Sequence, residues 1–306
     1  MNRHINAIAG RLSLRPPQRR SLEILGLVTE IAPPGNDANT AALLEIIRGE
    51  FPSVTDFERE FPSLCFALAT GVGKTRLMGA FISCLHLAHG VDNFFVLAPN
   101  LTIYNKLIAD FTPNTPKYVF KGIAEFATNV PIVITGDIYE QGAGMRSGRL
   151  PGFEHEVHIY IFNISKINSE VRGGKSPRIK RLSEYIGESY IDYLAGLPDL
   201  VLLMDESHRY RASAGVRSIN EMKPLPGLEL TATPFVETAR GSVPFKNVVY
   251  DYPLGKAMAD GFVKESTEKL QSGGHVSGGD RTDESRVGNL RARQSDCEAL
   301  SSGDRA

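Results

Sequence analysis

Short apolar runs alternate along this chain with stretches whose apolar residues recur at helical spacing. Leu64 to Ala69 (LCFALA), Asn93 to Ala98 (NFFVLA), Pro131 to Thr135, Val157 to Phe162, Leu197 to Met204 and Leu228 to Ala232 are the runs. Runs of this length without polar alternation suit strands buried on both faces. Between them lie helix patterns. Arg11 to Glu30 opens on a basic, proline-containing turn and places Leu22, Leu25 and Leu27 near one face. Ala41 to Glu50 follows the Pro33-Pro34-Gly35 breaker, and Thr75 to His89 ends at Gly90. Leu101 to Phe111 offers Leu101, Leu107, Ile108 and Phe111 to a core. Strands alternating with amphipathic helices predict an α/β fold, a parallel sheet with helices on both faces. Gly136 to Gly152 is glycine-rich and reads as a surface loop. Glu170 to Arg181 carries Arg172, Lys175, Arg178, Lys180 and Arg181.

The pattern stops after Val263. Residues 264–306 are rich in Ser, Gly, Asp, Glu and Arg and have no sustained period. Such a segment buries too little apolar surface to offset its ordering, so a disordered C-terminal tail is expected. The expected division is an N-terminal helical segment over 1–60, an α/β domain over 61–263, and the tail.

Composition adds limits rather than a function. The 306 residues are 42% hydrophobic and 23% charged, with 34 basic and 35 acidic side chains. A formal net charge of −1 gives no global reason to expect nucleic acid, though a local basic surface would suffice. Cys65, Cys84 and Cys297 are too scattered for a disulfide framework or zinc site, which fits a reducing cytoplasm. No apolar run approaches the roughly 20 residues of a membrane helix, and Met1 to Gly10 has no signal core.

Three segments carry chemistry, each at the end of an expected strand. Thr70-Gly71-Val72-Gly73-Lys74-Thr75 follows the first strand and opens a helix. Glycines let backbone N–H groups close around phosphate, and the helix start presents its positive dipole end. Lys74 would reach the outer phosphates, the Thr75 hydroxyl would hold Mg²⁺, and Arg76 is counted with the binding set. A plain glycine turn is the alternative. Leu200 to Asp205 ends in Asp205-Glu206-Ser207-His208. Asp205 is placed to hold Mg²⁺ and Glu206 to orient or deprotonate an attacking water. A polar strand end capping a helix would look similar. Thr231-Ala232-Thr233-Pro234 puts two hydroxyls at a third strand end, where they could bond His208 or the carboxylates. A Thr-Pro strand stop is its simpler reading.

Together and in this order the segments resemble superfamily 2 DEAD/DEAH-box helicases, most closely the Res subunit of type III restriction enzymes. Thr70 to Thr75 matches motif I, DESH at Asp205 to His208 motif II, and TAT at Thr231 to Thr233 motif III. Ala98-Pro99-Asn100 resembles motif Ia and Ile161 to Asn168 motif Ib. Arg15-Pro16-Pro17-Gln18 resembles the glutamine motif, in which Gln18 would read adenine. The strict motif I pattern wants glycine where Leu68 stands; helicase-type loops relax that position. Phe245 to Lys264 resembles the link that leaves the first lobe.

The resemblance implies a RecA-like P-loop NTPase lobe that binds ATP with Mg²⁺ and one face of DNA, in a restriction-modification setting with a modification methyltransferase subunit. Lys74, Asp205 and Glu206 would be catalytic. Gln18, Thr70, Gly71, Val72, Gly73, Lys74, Thr75, Arg76, His208, Thr231 and Thr233 would bind nucleotide, with Thr75 and Asp205 at the metal. Asn100, Thr102, Asn163 and Ser165 would touch the strand, unless they serve as caps. The family continues with a second RecA-like lobe and a nuclease domain, and nothing after residue 264 resembles either. The expectation is a truncated or frame-shifted product, or one half of a split motor. A non-catalytic module that holds ATP and DNA competes with the enzyme reading; ATPase assays with and without DNA separate them. A small-molecule phosphate-loop kinase would need an arginine-rich lid and would not need DESH or TATP.

Overall fold

The computed structural model describes residues 2–35, 39–139, 156–168, 178–181, 188–211, 213–238 and 241–263. The tail, most of the expected loop at 136–152, and Arg172 and Lys175 lie outside these residues. Met1–Glu265 forms one compact unit. Its centre is a seven-stranded sheet of β1 (Ser63–Leu68), β2 (Asn93–Ala98), β3 (Ile132–Thr135), β4 (His158–Asn163), β5 (Leu200–Asp205), β6 (Gly227–Thr231) and β9 (Val248–Tyr252). The order is β3-β4-β2-β5-β6-β1-β9, and all its pairings are parallel. A separate antiparallel hairpin joins β7 (Phe235–Thr238) to β8 (Gly241–Pro244).

The period-two geometry of the strands divides one apolar run between two cores. Phe94, Val96 and Ala98 of β2 join the core beneath α1 (Asn2–Arg11), α2 (Pro16–Ile31), α4 (Lys74–His89) and α5 (Leu101–Phe111). Phe95 and Leu97 join the opposite core, with Ile167 of α7 (Ile164–Asn168), Leu194 of α8 (Tyr190–Ala195) and Ile219 of α9 (Ser213–Glu221). The elements α3 (Thr40–Glu50), α6 (Glu125–Thr128) and α10 (Leu254–Ala259) are the other α-helices among the described residues.

Helix boundaries follow local chemistry. Asn39 accepts the Ala41 N–H at 3.0 Å to start α3, and Asn100 accepts that of Ile103 at 2.9 Å to start α5. Gly90, at φ 66°, ends α4 as expected. Three core expectations need correction. Leu101 opens α5 ahead of its contact with the sheet and is 62% exposed; Tyr104 takes the place expected for it. Leu27 is half-buried, while Ile24 and Val28 complete the buried face of α2. Tyr139, inside the expected surface loop, is buried against Phe162 and Tyr190. No helix among the described residues is long and apolar enough to cross a membrane.

Candidate functional site

The strand order brings the three chemical segments side by side. β5, β6 and β1 are consecutive in the sheet, and their carboxyl ends carry DESH, TATP and the glycine loop. Registers Ala67↔Thr231 and Asp205↔Leu230 level those ends. Beyond the carboxyl ends of a parallel sheet is where ligands gather.

The loop is built on two left-handed glycines, Gly71 at φ 87° and Gly73 at φ 101°, with Val72 buried between them. A β-carbon on Gly73 would stand 2.6 Å from Gln18 Nε2. Gln18 is buried at the start of α2. Its Oε1 accepts the Arg15 N–H at 2.8 Å, and its Nε2 donates to Gly73 O at 2.8 Å. Arg15 Nη1 donates to Gly71 O at 3.0 Å, and its guanidinium lies over the Phe262 ring. Arg76 Nη1 donates to Leu12 O at 3.3 Å. Gln18 and Arg15 therefore brace the loop from the side. A cavity of about 440 Å³ opens there, walled by Gln18, Gly71, Gly73, Thr75, Arg76 and Lys117. A larger one of about 780 Å³, lined by Pro62, Leu64, Leu225 and Pro226, sits at the opposite ends of the strands and touches none of the three segments.

Across the loop, Lys74 Nζ pairs with Glu206 Oε1 at 2.9 Å. Glu206 is a non-glycine residue at φ 52°, ψ 53°, a sharp turn directly after β5. Such strain costs on the order of 1–3 kcal/mol and clusters at functional sites. Asp205 is largely buried, and its Oδ1 has no hydrogen-bond partner among the described residues. Burial pushes its carboxyl up to about 6; Glu206 adds to the rise, while Lys74 and Lys106 oppose it. His208 Nδ1 lies 3.0 Å from Thr231 Oγ1 and 3.1 Å from Thr233 Oγ1, with Glu206 Oε2 at 3.6 Å. Burial lowers the His208 pKa although Glu206 opposes it, so a neutral ring sharing a proton with the threonines fits this corner.

Thr70 is exposed at the loop's start. Of the residues considered for strand contact, Asn100 caps α5. Asn163 Oδ1 accepts from Ser165 N and Oγ, both at 3.0 Å. Lys180 pairs with Glu221.

Several neighbours escaped sequence reasoning. Lys106 donates to Thr75 Oγ1 at 2.7 Å and to Asp110 at 2.8 Å. Its i,i+4 spacing to Asp110 on an otherwise apolar-faced helix was the available signal. Glu229 on β6 is fully buried and tied to Arg59, Ser63, Arg211 and Asn247. A glutamate inside a strand read as apolar was its only mark.

The sheet order, the phosphate-type loop and the adjoining carboxylates define a RecA-like, helicase-like ATPase lobe. The family model described as type III restriction enzyme, res subunit, matches residues 12–236, and the chain belongs to that family. Among solved structures it is similar to a Sulfolobus solfataricus SWI2/SNF2 ATPase core in complex with dsDNA. That match has 14% identity and a TM-score of 0.38, over 72% of this chain and 32% of that one. It is also similar to a nuclease-deletion mutant of the type ISP restriction-modification enzyme LlaGI in complex with a DNA substrate mimic. Here identity is 16% and the TM-score 0.40, over 66% of this chain and 19% of that one. A search of curated proteins finds no match.

Proposed function

We propose that this chain is the ATP-binding first lobe of a DNA translocase of restriction type. The observation that carries the reading is the convergence of Lys74, Thr75, Asp205 and Glu206 at the ends of β1 and β5, which flank β6, with one Asp205 oxygen left bare. A buried carboxylate oxygen without a donor suits a cation. One carboxylate and one hydroxyl suit Mg²⁺ in particular, which completes its shell with water and phosphate oxygens.

In this reading the amides of Gly71 to Thr75 and the α4 dipole hold the phosphates, helped by Lys74. Lys74 now pairs with Glu206 and would exchange that carboxylate for phosphate oxygens. Glu206, thus released, orients or deprotonates the attacking water. Thr75 and Asp205 would hold the metal, which supplies charge neutralisation at the transferring phosphoryl group. His208, between Glu206 and the two threonines, passes the state of that carboxylate to β6. Gln18 spends one Oε1 lone pair on Arg15 N–H and one Nε2 hydrogen on Gly73 O, which leaves one acceptor site and one hydrogen for reading adenine. DNA as the polymer rests on family membership. A second motor lobe, on this polypeptide or another, and a methyltransferase subunit belong to the same proposal.

The test is calorimetric ATP binding together with an ATPase assay, with and without duplex DNA. Lys74→Ala should lose binding. Glu206→Gln should retain it and remove whatever turnover the wild type shows. Unchanged binding by Lys74→Ala would sink the proposal.

A further inference from the structure

Lys106 stands where a divalent cation would have to compete with it. Its ammonium donates to the Thr75 hydroxyl at 2.7 Å and to Asp110 Oδ2 at 2.8 Å. The two α5 residues differ in freedom: the Asp110 side chain is 9% exposed and that of Lys106 51%. Asp110 is thus the fixed end of the pair and Lys106 the movable one. Lys106 is also close enough for its charge to act on Asp205, across the same corner.

The Thr75 oxygen has two lone pairs, one of which Lys106 occupies. A Mg²⁺–oxygen bond is about 2.1 Å. At a tetrahedral angle, a metal on the second lone pair would lie ~4 Å from the ammonium. Two cations at that separation repel, with the exposure of Lys106 screening part of the effect. Lys106 can retreat without losing its partner, because Asp110 stays in reach.

We propose that Lys106 is a cation placeholder. It neutralises the metal corner while nucleotide and metal are absent, leaves Thr75 when Mg²⁺ arrives, and parks on Asp110. This rests on the Mg²⁺–ATP reading of the site. The consequence concerns binding rather than turnover. In metal-free buffer the ammonium substitutes for the metal beside the triphosphate; in Mg²⁺ it is a competitor that must be moved.

The experiment titrates N-methylanthraniloyl-ATP into the whole chain in excess Mg²⁺ and in excess EDTA, reading fluorescence. The quantity read is the ratio of Kd in EDTA to Kd in Mg²⁺. Lys106→Met should raise the ratio about tenfold, through weaker binding in EDTA and unchanged or tighter binding in Mg²⁺. Lys106→Gln, which keeps a polar end without the charge, should behave like Lys106→Met. Lys106→Arg should stay near the wild-type ratio. A ratio unmoved by both neutral variants, with the wild type binding normally, overturns the placeholder alone. No binding by the wild type in either buffer overturns the nucleotide reading and the placeholder with it.

Discussion

Gly73 is the residue whose replacement separates two costs. Its φ of 101° is one that a side-chain-bearing residue adopts only with strain, about 1–3 kcal/mol. Its missing β-carbon also leaves room for the Gln18 amide, which would otherwise stand 2.6 Å away. Gly73→Ala should therefore lower the thermal midpoint and abolish ATP binding, because the loop that presents the amides cannot keep its shape. Adding Gln18→Ala removes the clash but not the torsional strain. Because Gln18→Ala also removes the bonds to Arg15 N and Gly73 O, the double variant should regain little of the stability and little of the binding. Full recovery of binding would mean that the clash alone matters and that Gly73 needs no left-handed backbone.

At the scale of elements, a buried ion cluster ties the DESH turn to the strands around it. Glu229 of β6 takes Arg211 Nη2 at 2.7 Å, Arg59 Nε at 3.3 Å and Ser63 Oγ at 2.8 Å. Arg211 also bonds Glu58 at 2.7 Å and stacks over Phe245, its guanidinium carbon 3.8 Å from the ring centroid. Burial alone would raise the Glu229 carboxyl, but Arg59 and Arg211 outweigh it and hold the pKa below its ordinary value. A depressed folded pKa contributes stability above the unfolded carboxylate value, about 4.3, and that stability is lost as pH falls below it. Glu229→Gln leaves two buried guanidinium groups facing a neutral amide. It should cost about 3–5 kcal/mol in urea unfolding at pH 7. It should also flatten the wild type's decline in stability below about pH 4.3. A variant as stable as wild type would show that the cluster does not hold the turn.

Legibility at this scale tracked how local each signal is. β2 and α5 appear with the bounds their sequence predicts, since a buried strand and a capped amphipathic helix each declare themselves within a dozen residues. Within the expected N-terminal helical segment, α1 was not placed as a helix of its own. Ile5, Ile8 and Ala9 are its buried face, and a helix this short depends on its packing against neighbours rather than on propensity. β9 read as a link because an edge strand is made by pairing, here with β1 some 180 residues earlier. The motif residues were legible because phosphate and metal chemistry restricts residue types. Lys106 was not: a charge on a helix surface looks solvated until the fold brings Thr75 beside it.

At the scale of the molecule, binding and work separate. Lys74, Thr75, Asp205 and Glu206 suffice in principle to hold nucleotide, metal and water, and all four lie in one lobe. Phosphoryl transfer also depends on neutralising charge that develops on the far side of the γ-phosphate, where an arginine finger is worth roughly 10³–10⁵ in rate. Three nearby arginines are committed elsewhere, Arg15 to Gly71 O and Phe262, Arg76 to Leu12 O, and Arg211 to Glu58 and Glu229, while Arg209 beside His208 is exposed. Stepping along a strand further requires two bodies that close and open around it. The lobe spanned by the described residues should therefore bind ATP yet, on its own, hydrolyse it near background in single-turnover assays, and duplex DNA should change that rate by less than about tenfold. Adding a second motor lobe in trans should raise the rate, with Glu206→Gln removing the gain. Robust DNA-stimulated turnover by the pure chain alone would mean that one of these four arginines, or a residue outside the described set, completes the site within this polypeptide.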